Sequence, residues 1–270
     1  EIASCLVGSE MCIRDSCNTV EQVLLAEKAG VDGIMLDWEF KGKSQRQLGY
    51  DTEINDLDYE SLGTFRALTS KPIIVRINGL CEDSSRVVEL ALSGGATQIL
   101  LPMAQSADEV EQFIALVNGR AEPGIMIETQ SLVDDIERLA TLPWCFAFIG
   151  LNDLMITRTA NSLWIPFIDG TVDHIYKVLS GRQIGYGGVS LIDKGHPLPF
   201  KMLLKEMARH GCSFSFLRRS FYRDIGNKDP NIECQKVRDH WQMYLQRSPE
   251  QQAHDHEVFQ THLGAMIDAH

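Results

Sequence analysis

The strongest constraint on the fold is a repeated alternation of short apolar runs with amphipathic segments. It is clearest over 124–154, where the apolar run 125–127 leads to Glu128, an amphipathic segment follows, and the run 145–149 leads to Asp153. Runs of this kind end at intervals of roughly 25 to 40 residues, which suits repeated β/α units. The runs end at Asp37, Arg76, Leu101, Glu128, Gly150, Val189 and Arg218.

With one more strand near the N-terminus, the pattern gives eight strands that alternate with helices. A chain of 270 residues is a normal length for one eight-stranded barrel. We therefore predict an α/β fold, a (β/α)8 TIM barrel with a C-terminal helical extension. An open, doubly wound sheet is the alternative, but no G-x-G-x-x-G sequence follows an early strand.

We divide the chain into three parts, which are an atypical segment over 1–17, a barrel over 18–228 and a polar helical extension over 229–270. Within the first part, the stretch 4–16 (SCLVGSEMCIRDS) resembles a translated sequencing-adapter artefact that would replace the natural first strand. Residues 2–7 can still form an apolar strand. We assign no functional residue to this part.

Two stretches of the barrel read as loops. Residues 41–58 are polar and too long for a plain connection, and long loops often carry function. Residues 164–169 form the second predicted loop. By contrast, residues 232–268 read as helical, polar and rich in Gln and His.

Charge and cysteine content narrow the classes of function. The formal net charge of -12 does not suit a nucleic-acid binder, and it argues against binding to anionic membranes. No apolar run is long enough to span a membrane, and no basic region precedes an apolar stretch as in a signal peptide. The 7 cysteines are scattered without a CxxC pair, which is typical of reduced thiols. We therefore expect a cytoplasmic protein.

Glu128 and Asp153 are the candidate metal ligands. Each follows an apolar strand, so both are expected at the carboxyl-end mouth of the barrel. Either acid alone is better explained as a helix cap, but two acids on adjacent strands favour a divalent cation. Mg²⁺, or Mn²⁺, can be held by one or two carboxylates together with water and substrate oxygens.

Arg76 ends the strand PIIVR and is the candidate catalytic cation. Its guanidinium can bind a carboxylate through two hydrogen bonds or stabilise an enolate oxygen. Asp37 and Glu39, in LDWEF, lie on one face of their strand and can orient Arg76 or hold a metal-bound water, although a structural salt bridge is an equal alternative. Arg218 and Arg219 follow the last strand, where barrels often bind anions, and a purely structural role for the pair is an equal alternative.

Several motifs, taken in order, resemble the HpcH/HpaI aldolase and citrate lyase β-subunit family over about residues 19–225. These are D-W-E (37–39), V-R-I-N (75–78), L-L-P-M with S-A-D-E-V (100–110), I-E-T (127–129) and F-I-G-L-N-D-L (148–154). The resemblance implies a phosphoenolpyruvate/pyruvate-type TIM barrel with Mg²⁺ or Mn²⁺ held by Glu128 and Asp153. It also implies that Arg76 stabilises a pyruvate or acetyl enolate. We place substrate binding at Arg76, Pro102, Met103, Asn152 and Arg218.

The family's usual reaction is the reversible cleavage of a carbon–carbon bond in a 2-oxo hydroxy acid or an acyl-CoA thioester. One departure stands out, because Phe40 occupies the place of the histidine of the aldolase branch, or of an acid in the citrate lyase branch. Metal-bound hydroxide, Asp37, Glu39 or a residue of 41–58 could replace that base. The predicted function is a metal-dependent aldolase-type lyase. The alternatives are a CoA-thioester lyase and a non-catalytic pseudoenzyme that binds a metal–oxyacid complex.

The expected partners follow from the same resemblance. The substrate is a small oxyacid, and neither nucleic acid nor membrane is expected as a partner. C-terminal tails such as residues 232–268 commonly pack on a neighbouring subunit in this family, so a homo-oligomer is predicted. A solvated extension is the alternative.

Overall fold

The computed structural model describes residues 10–40, 59 and 61–268. Parallel strands pair in chain order, and the first pairs with the last to close a barrel. The strands are β1 (Cys12–Ser16), β2 (Gly33–Asp37), β3 (Ile73–Arg76), β4 (Gln98–Leu101), β5 (Glu122–Ile127), β6 (Phe146–Ile149), β7 (Gln183–Tyr186) and β8 (Phe214–Phe216). The predicted TIM barrel is confirmed.

Helices follow the strands and form the outer layer. They are α1 (Val20–Ala29), α2 (Ser61–Leu68), α3 (Ser84–Ser93), α4 (Ala107–Val117), α5 (Gln130–Asp134), α6 (Ile136–Leu139), α7 (Leu151–Thr157), α8 (Ile165–Ile168), α9 (Thr171–Val178), α10 (Phe200–His210), α11 (Arg219–Ile225), α12 (Pro230–Leu245) and α13 (Pro249–Asp268). The predicted loop over 164–169 was wrong, since it contains α8. The predicted loop over 41–58 lies outside the described residues.

Alternation along the strands separates two apolar regions. One set of side chains fills the barrel interior, and the opposite set packs against the helices. The interior set comprises Cys12, Met35, Ile74, Leu100, Met126, Phe146 and Phe214, with Phe148 and Phe216 packed against it. Because the interior is filled, chemistry is confined to the mouth, where polar residues follow the strand ends.

The atypical N-terminal segment supplies β1. Arg14 enters the barrel interior, with its guanidinium carbon 4.1 Å from the ring centroid of Phe214 and 5.0 Å from that of Phe146. Asp15 faces the helices and accepts a 2.6 Å hydrogen bond from the Tyr222 hydroxyl. The strand predicted over 2–7 lies outside the described residues, and Cys12–Ser16 fills the place of β1 in the barrel.

The C-terminal extension is helical, as predicted, but it is broken into two helices around Arg247. The Arg247 guanidinium, 9% exposed, donates to the carbonyls of Lys205 and Tyr244 at 2.7 and 2.9 Å and to Asp255 at 2.7 Å. Phe259 of α13 is buried against the rest of the protein. The extension therefore packs on its own barrel.

Two general expectations can be compared with the structure. No helix in the described part of the chain is long and apolar enough to cross a membrane. Free thiols are present at Cys17, Cys81, Cys145, Cys212 and Cys234, whereas Cys12 is disulfide-bonded, so the prediction of reduced thiols was wrong at that position.

Candidate active site

The strand ends bring four of the predicted residues to the mouth of the barrel. Asp37 and Arg76 are the last residues of β2 and β3 and lie side by side in the register. Glu128 follows β5, and Asp153 lies in the first turn of α7, just after β6. Because all these strands are parallel, their carboxyl ends share one edge. Three of the four side chains are acids, and all three acids are buried.

Arg76 is held in place by Asp37. Its Nε and Nη2 atoms donate to the two carboxylate oxygens of Asp37 at 2.9 and 2.6 Å, and its Nε lies 3.6 Å from a Glu39 oxygen. Burial alone would lower the pKa of Arg76, but the nearby carboxylates, chiefly Asp37, raise that pKa above its ordinary value. Arg76 is therefore a fixed, permanently charged group.

Trp38 lies between Asp37 and Glu39 in the sequence but on the opposite face of the segment. It points away from Asp37 and Glu39, is 2% exposed, and packs edge-to-face on Tyr59 at a centroid distance of 4.8 Å. The predicted alternation in D-W-E is therefore confirmed.

Glu128 is an acid in an unusual environment. One of its oxygens, Oε1, accepts a 2.9 Å hydrogen bond from the Met103 backbone N–H. Its pKa is raised to about 8, first by burial and then by the negative charges of Asp153 and Glu39. The charge of Arg76 and the Met103 N–H lower the pKa but do not offset those effects. The result is a pair of neighbouring acids that would gain from a bound cation.

The residues present fit a hard divalent cation such as Mg²⁺ or Mn²⁺. Glu128 and Asp153 offer only oxygen atoms, which these ions prefer. Within the described ranges no group of three or more His, Cys, Asp or Glu side chains is placed to hold a metal, so water or substrate oxygens would complete the shell. A cation there would remove the repulsion that raises the pKa of Glu128.

The predicted substrate-binding residues divide into two groups. Pro102 is buried, and the next residue, Met103, contacts Glu128 through its N–H. Asn152 and Arg218 are exposed, and the Arg218 side chain lies beside Gly188. The substrate-binding roles of Asn152 and Arg218 stay predictions.

Phe40, directly after D-W-E, is an exposed hydrophobic residue. Its side chain is 46% exposed, and its N–H donates a 3.0 Å hydrogen bond to Asn78 Oδ1. Asn78 is 5% exposed and follows β3 by two residues. Our sequence prediction did not include Asn78 in the site, although its place in V-R-I-N was the available signal.

Two further features of the site were missed. The Met103 N–H contacts Glu128 because Met103 has a positive φ of 56°, which a methionine rarely adopts. Gly150 leaves the space that the Glu128 carboxylate fills. Both contributions come from backbone, so the only signal in the sequence was the presence of a turn and of a glycine after a strand.

Comparisons with known proteins bear on the fold. No protein-family model matches this chain, and no curated protein matches it. An HpcH/HpaI aldolase/citrate lyase family protein from Burkholderia cenocepacia J2315 has a TM-score of 0.63 and 14% identity over 82% of this chain and 93% of its own. An HpcH/HpaI aldolase from Desulfitobacterium hafniense DCB-2 has a TM-score of 0.60 and 14% identity over 80% of this chain and 89% of its own.

A third solved structure, the citrate synthase SbnG, has a TM-score of 0.59 and 16% identity over 80% of this chain and 90% of its own. At such identities the likeness shows the fold alone. The structural neighbours of this chain are thus HpcH/HpaI aldolase/citrate lyase family proteins and a citrate synthase, in agreement with the resemblance seen in the motifs.

Proposed function

We propose that this protein is a divalent-metal-dependent carbon–carbon lyase of the aldolase type, which acts through a pyruvate-like enolate on a small 2-oxo or hydroxy acid. The observation that carries the proposal is the fixed pair of the partly buried Arg76 and the buried Asp37, beside Glu128 at the carboxyl end of the barrel. The names of the structural neighbours, aldolase/citrate lyase and citrate synthase, support this class of reaction.

Each charged residue has a separate role in this proposal. Glu128 and Asp153 would hold Mg²⁺ or Mn²⁺, which when bound polarises the ketone of a 2-oxo acid. Arg76 places a positive charge where negative charge develops on the enolate oxygen. Asp37 fixes the plane of that guanidinium through two hydrogen bonds, so little reorganisation is needed during the reaction. Burial of the group strengthens these electrostatic interactions.

Proton transfer falls to the acids of D-W-E, because the side chain of Phe40 is a hydrocarbon. Asp37 uses both of its oxygens on Arg76, which suits positioning. Glu39 is 3% exposed and lies 3.6 Å from the same guanidinium, so we assign it as the candidate proton acceptor.

Exchange of the pyruvate methyl protons in D₂O, followed by NMR, tests the proposal. We expect exchange with Mg²⁺ or Mn²⁺, a loss of at least about a hundredfold in Glu128→Ala, and a wild-type rate in the surface variant Asp239→Asn. Folded wild-type protein that gives no exchange with any divalent ion would remove the enolate step from the proposal.

Phe40 favours one second candidate, a protein that binds a metal–oxyacid complex without turnover. This reading predicts that pyruvate with Mn²⁺ raises the melting temperature while no proton exchange is detected. A CoA-thioester lyase predicts instead that a CoA adduct raises the melting temperature and pyruvate does not. Turnover that Glu128→Ala abolishes would exclude the pseudoenzyme.

We also propose a cytoplasmic homo-oligomer that binds a small oxyacid and neither nucleic acid nor membrane. The net charge of -12 supports the last two points. In the oligomer, residues 232–268, which pack on their own barrel, would also contact a neighbouring subunit. Light scattering that shows a monomer at micromolar concentration would refute this assembly.

A further inference from the structure

The carboxylate of Glu128 is confined by backbone on two sides. On one side, its Oε1 accepts the hydrogen bond from the Met103 N–H at 2.9 Å. On the other side lies Gly150, where an added Cβ would stand 2.3 Å from Glu128 Oε2 and 2.8 Å from Glu128 Cβ. Real Cβ atoms essentially never approach other atoms so closely. Any side chain at position 150 would therefore displace the carboxylate.

The need for glycine here comes from space and not from backbone conformation. Gly150 has φ of −86° and ψ of 84°, and its negative φ is accessible to other residues. The nearest obstacle, Glu128 Oε2, is the far end of a flexible side chain, whereas Glu128 Cβ, at 2.8 Å, can move only together with its backbone. An alanine at this position is thus expected to displace the carboxylate and to shift the backbone at Glu128 or Gly150, at some cost in stability.

Gly150 also connects the two acids. Its N–H donates a 3.1 Å hydrogen bond to the Ile127 carbonyl, directly before Glu128. Gly150 is the residue before α7, and Asp153 lies in the first turn of that helix. The Thr157 hydroxyl, at the end of α7, contacts the Glu128 carbonyl at 3.3 Å. The segment that carries Asp153 is therefore tied at one end to Ile127 and at the other to Glu128.

We propose that Gly150 and the Met103 peptide form a clamp that positions the Glu128 carboxylate beside Asp153 for binding of a divalent cation. Gly150 is a positioning residue in this proposal, because it acts only through Glu128. The inference rests on the proposed function, since it takes Glu128 and Asp153 as the metal ligands.

The test is titration with Mn²⁺ alone, followed by electron paramagnetic resonance and calorimetry. Gly150→Ala should raise the dissociation constant for Mn²⁺ at least about tenfold, which is the size of effect seen when groups that orient metal ligands are removed. The matched control is Gly264→Ala on α13, where an added Cβ would meet nothing within 4 Å. Circular dichroism without metal checks that each variant is folded.

A Gly150→Ala protein that binds Mn²⁺ as tightly as wild type would overturn the clamp and leave the proposed function standing. Folded wild-type protein that binds neither Mn²⁺ nor Mg²⁺ would overturn the proposed function and the clamp together.

If Gly150→Ala does not fold, hydrogen exchange at the Met103 amide gives an independent test. Exchange should be about tenfold or more faster in Glu128→Ala, which lacks the acceptor, than in Asp153→Ala, which retains it. Equal exchange in these two variants would overturn the clamp.

Discussion

Asp15 should make the protein less stable as the pH rises. Its side chain is 5% exposed, it faces the helices from β1, and burial raises its pKa from 3.8 to about 7 even though the Tyr222 hydroxyl donates to it. An acid with a raised pKa binds more protons in the folded state than in the unfolded state, so stability falls between the two pKa values. The gap from 3.8 to about 7 corresponds to about 4 kcal/mol, at about 1.36 kcal/mol per pH unit.

The variant Asp15→Asn tests this reasoning, because it keeps an acceptor for the Tyr222 hydroxyl and cannot ionise. Urea unfolding at pH 4, 6 and 8 measures the free energy of unfolding of both proteins. The difference, variant minus wild type, should increase by about 4 kcal/mol from pH 4 to pH 8. Glu128 also has a raised pKa, but it is present in both proteins and cancels in the difference.

Two further variants sharpen the comparison. Tyr222→Phe removes the hydrogen bond that lowers the pKa of Asp15, so its loss of stability should continue to higher pH than that of wild type. Asp239→Asn, at an exposed position, should follow the wild-type profile. Parallel pH profiles for wild type and Asp15→Asn would refute the reasoning, since they would mean that Asp15 is ionised in the fold without a penalty.

Three other changes have expected outcomes. Binding of Mg²⁺ or Mn²⁺ at pH 7 should release about one proton per ion, because the pKa of Glu128 is about 8, and calorimetry in buffers of different ionisation enthalpy measures this release; Glu128→Gln should abolish it. Arg76→Lys keeps the charge but loses the two hydrogen bonds that the guanidinium donates to Asp37. It should lower the free energy of unfolding by about 1–3 kcal/mol and slow pyruvate exchange at least about a hundredfold. Wild-type values of both quantities would contradict the role of these two hydrogen bonds. Arg247→Ala removes three hydrogen bonds and should lower the free energy of unfolding in urea by about 3 kcal/mol, whereas a change below about 0.5 kcal/mol would show that Arg247 does not hold the C-terminal helices.

The barrel could be predicted because its strands repeat a pattern of apolar residues that can be recognised in short stretches of sequence. The apolar runs predicted to end at Asp37, Arg76 and Leu101 do end at those residues in the structure. The helices α7, α8 and α11 were missed, because segments of four to seven residues are too short to show a helical period.

The candidate site could be predicted only where a charged side chain follows a strand. Arg76 and Glu128 met that criterion and lie together in the structure. The Met103 N–H and the space at Gly150 carry no side-chain signal, because they depend on how distant backbone segments approach each other. Asn152 and Arg218 were placed by motif and by strand order, and such information does not fix how an exposed side chain is oriented.

The atypical strand and the candidate site occupy different parts of the barrel. The charged residues of the mouth come from the ends of β2, β3, β5 and β6, whereas Cys12–Ser16 pairs with β2 and β8 and contributes Arg14 to the interior and Asp15 to the helix layer. The Nη1 atom of Arg14 is buried without a hydrogen-bond partner in the described part of the protein, as expected if this strand does not match its surroundings. A change in β1 should therefore alter the stability of the barrel more than the geometry of Arg76 and Glu128. Asp15→Asn should accordingly shift the unfolding curve while its Mn²⁺ affinity stays that of wild type, and a parallel loss of affinity would show that β1 supports the mouth after all.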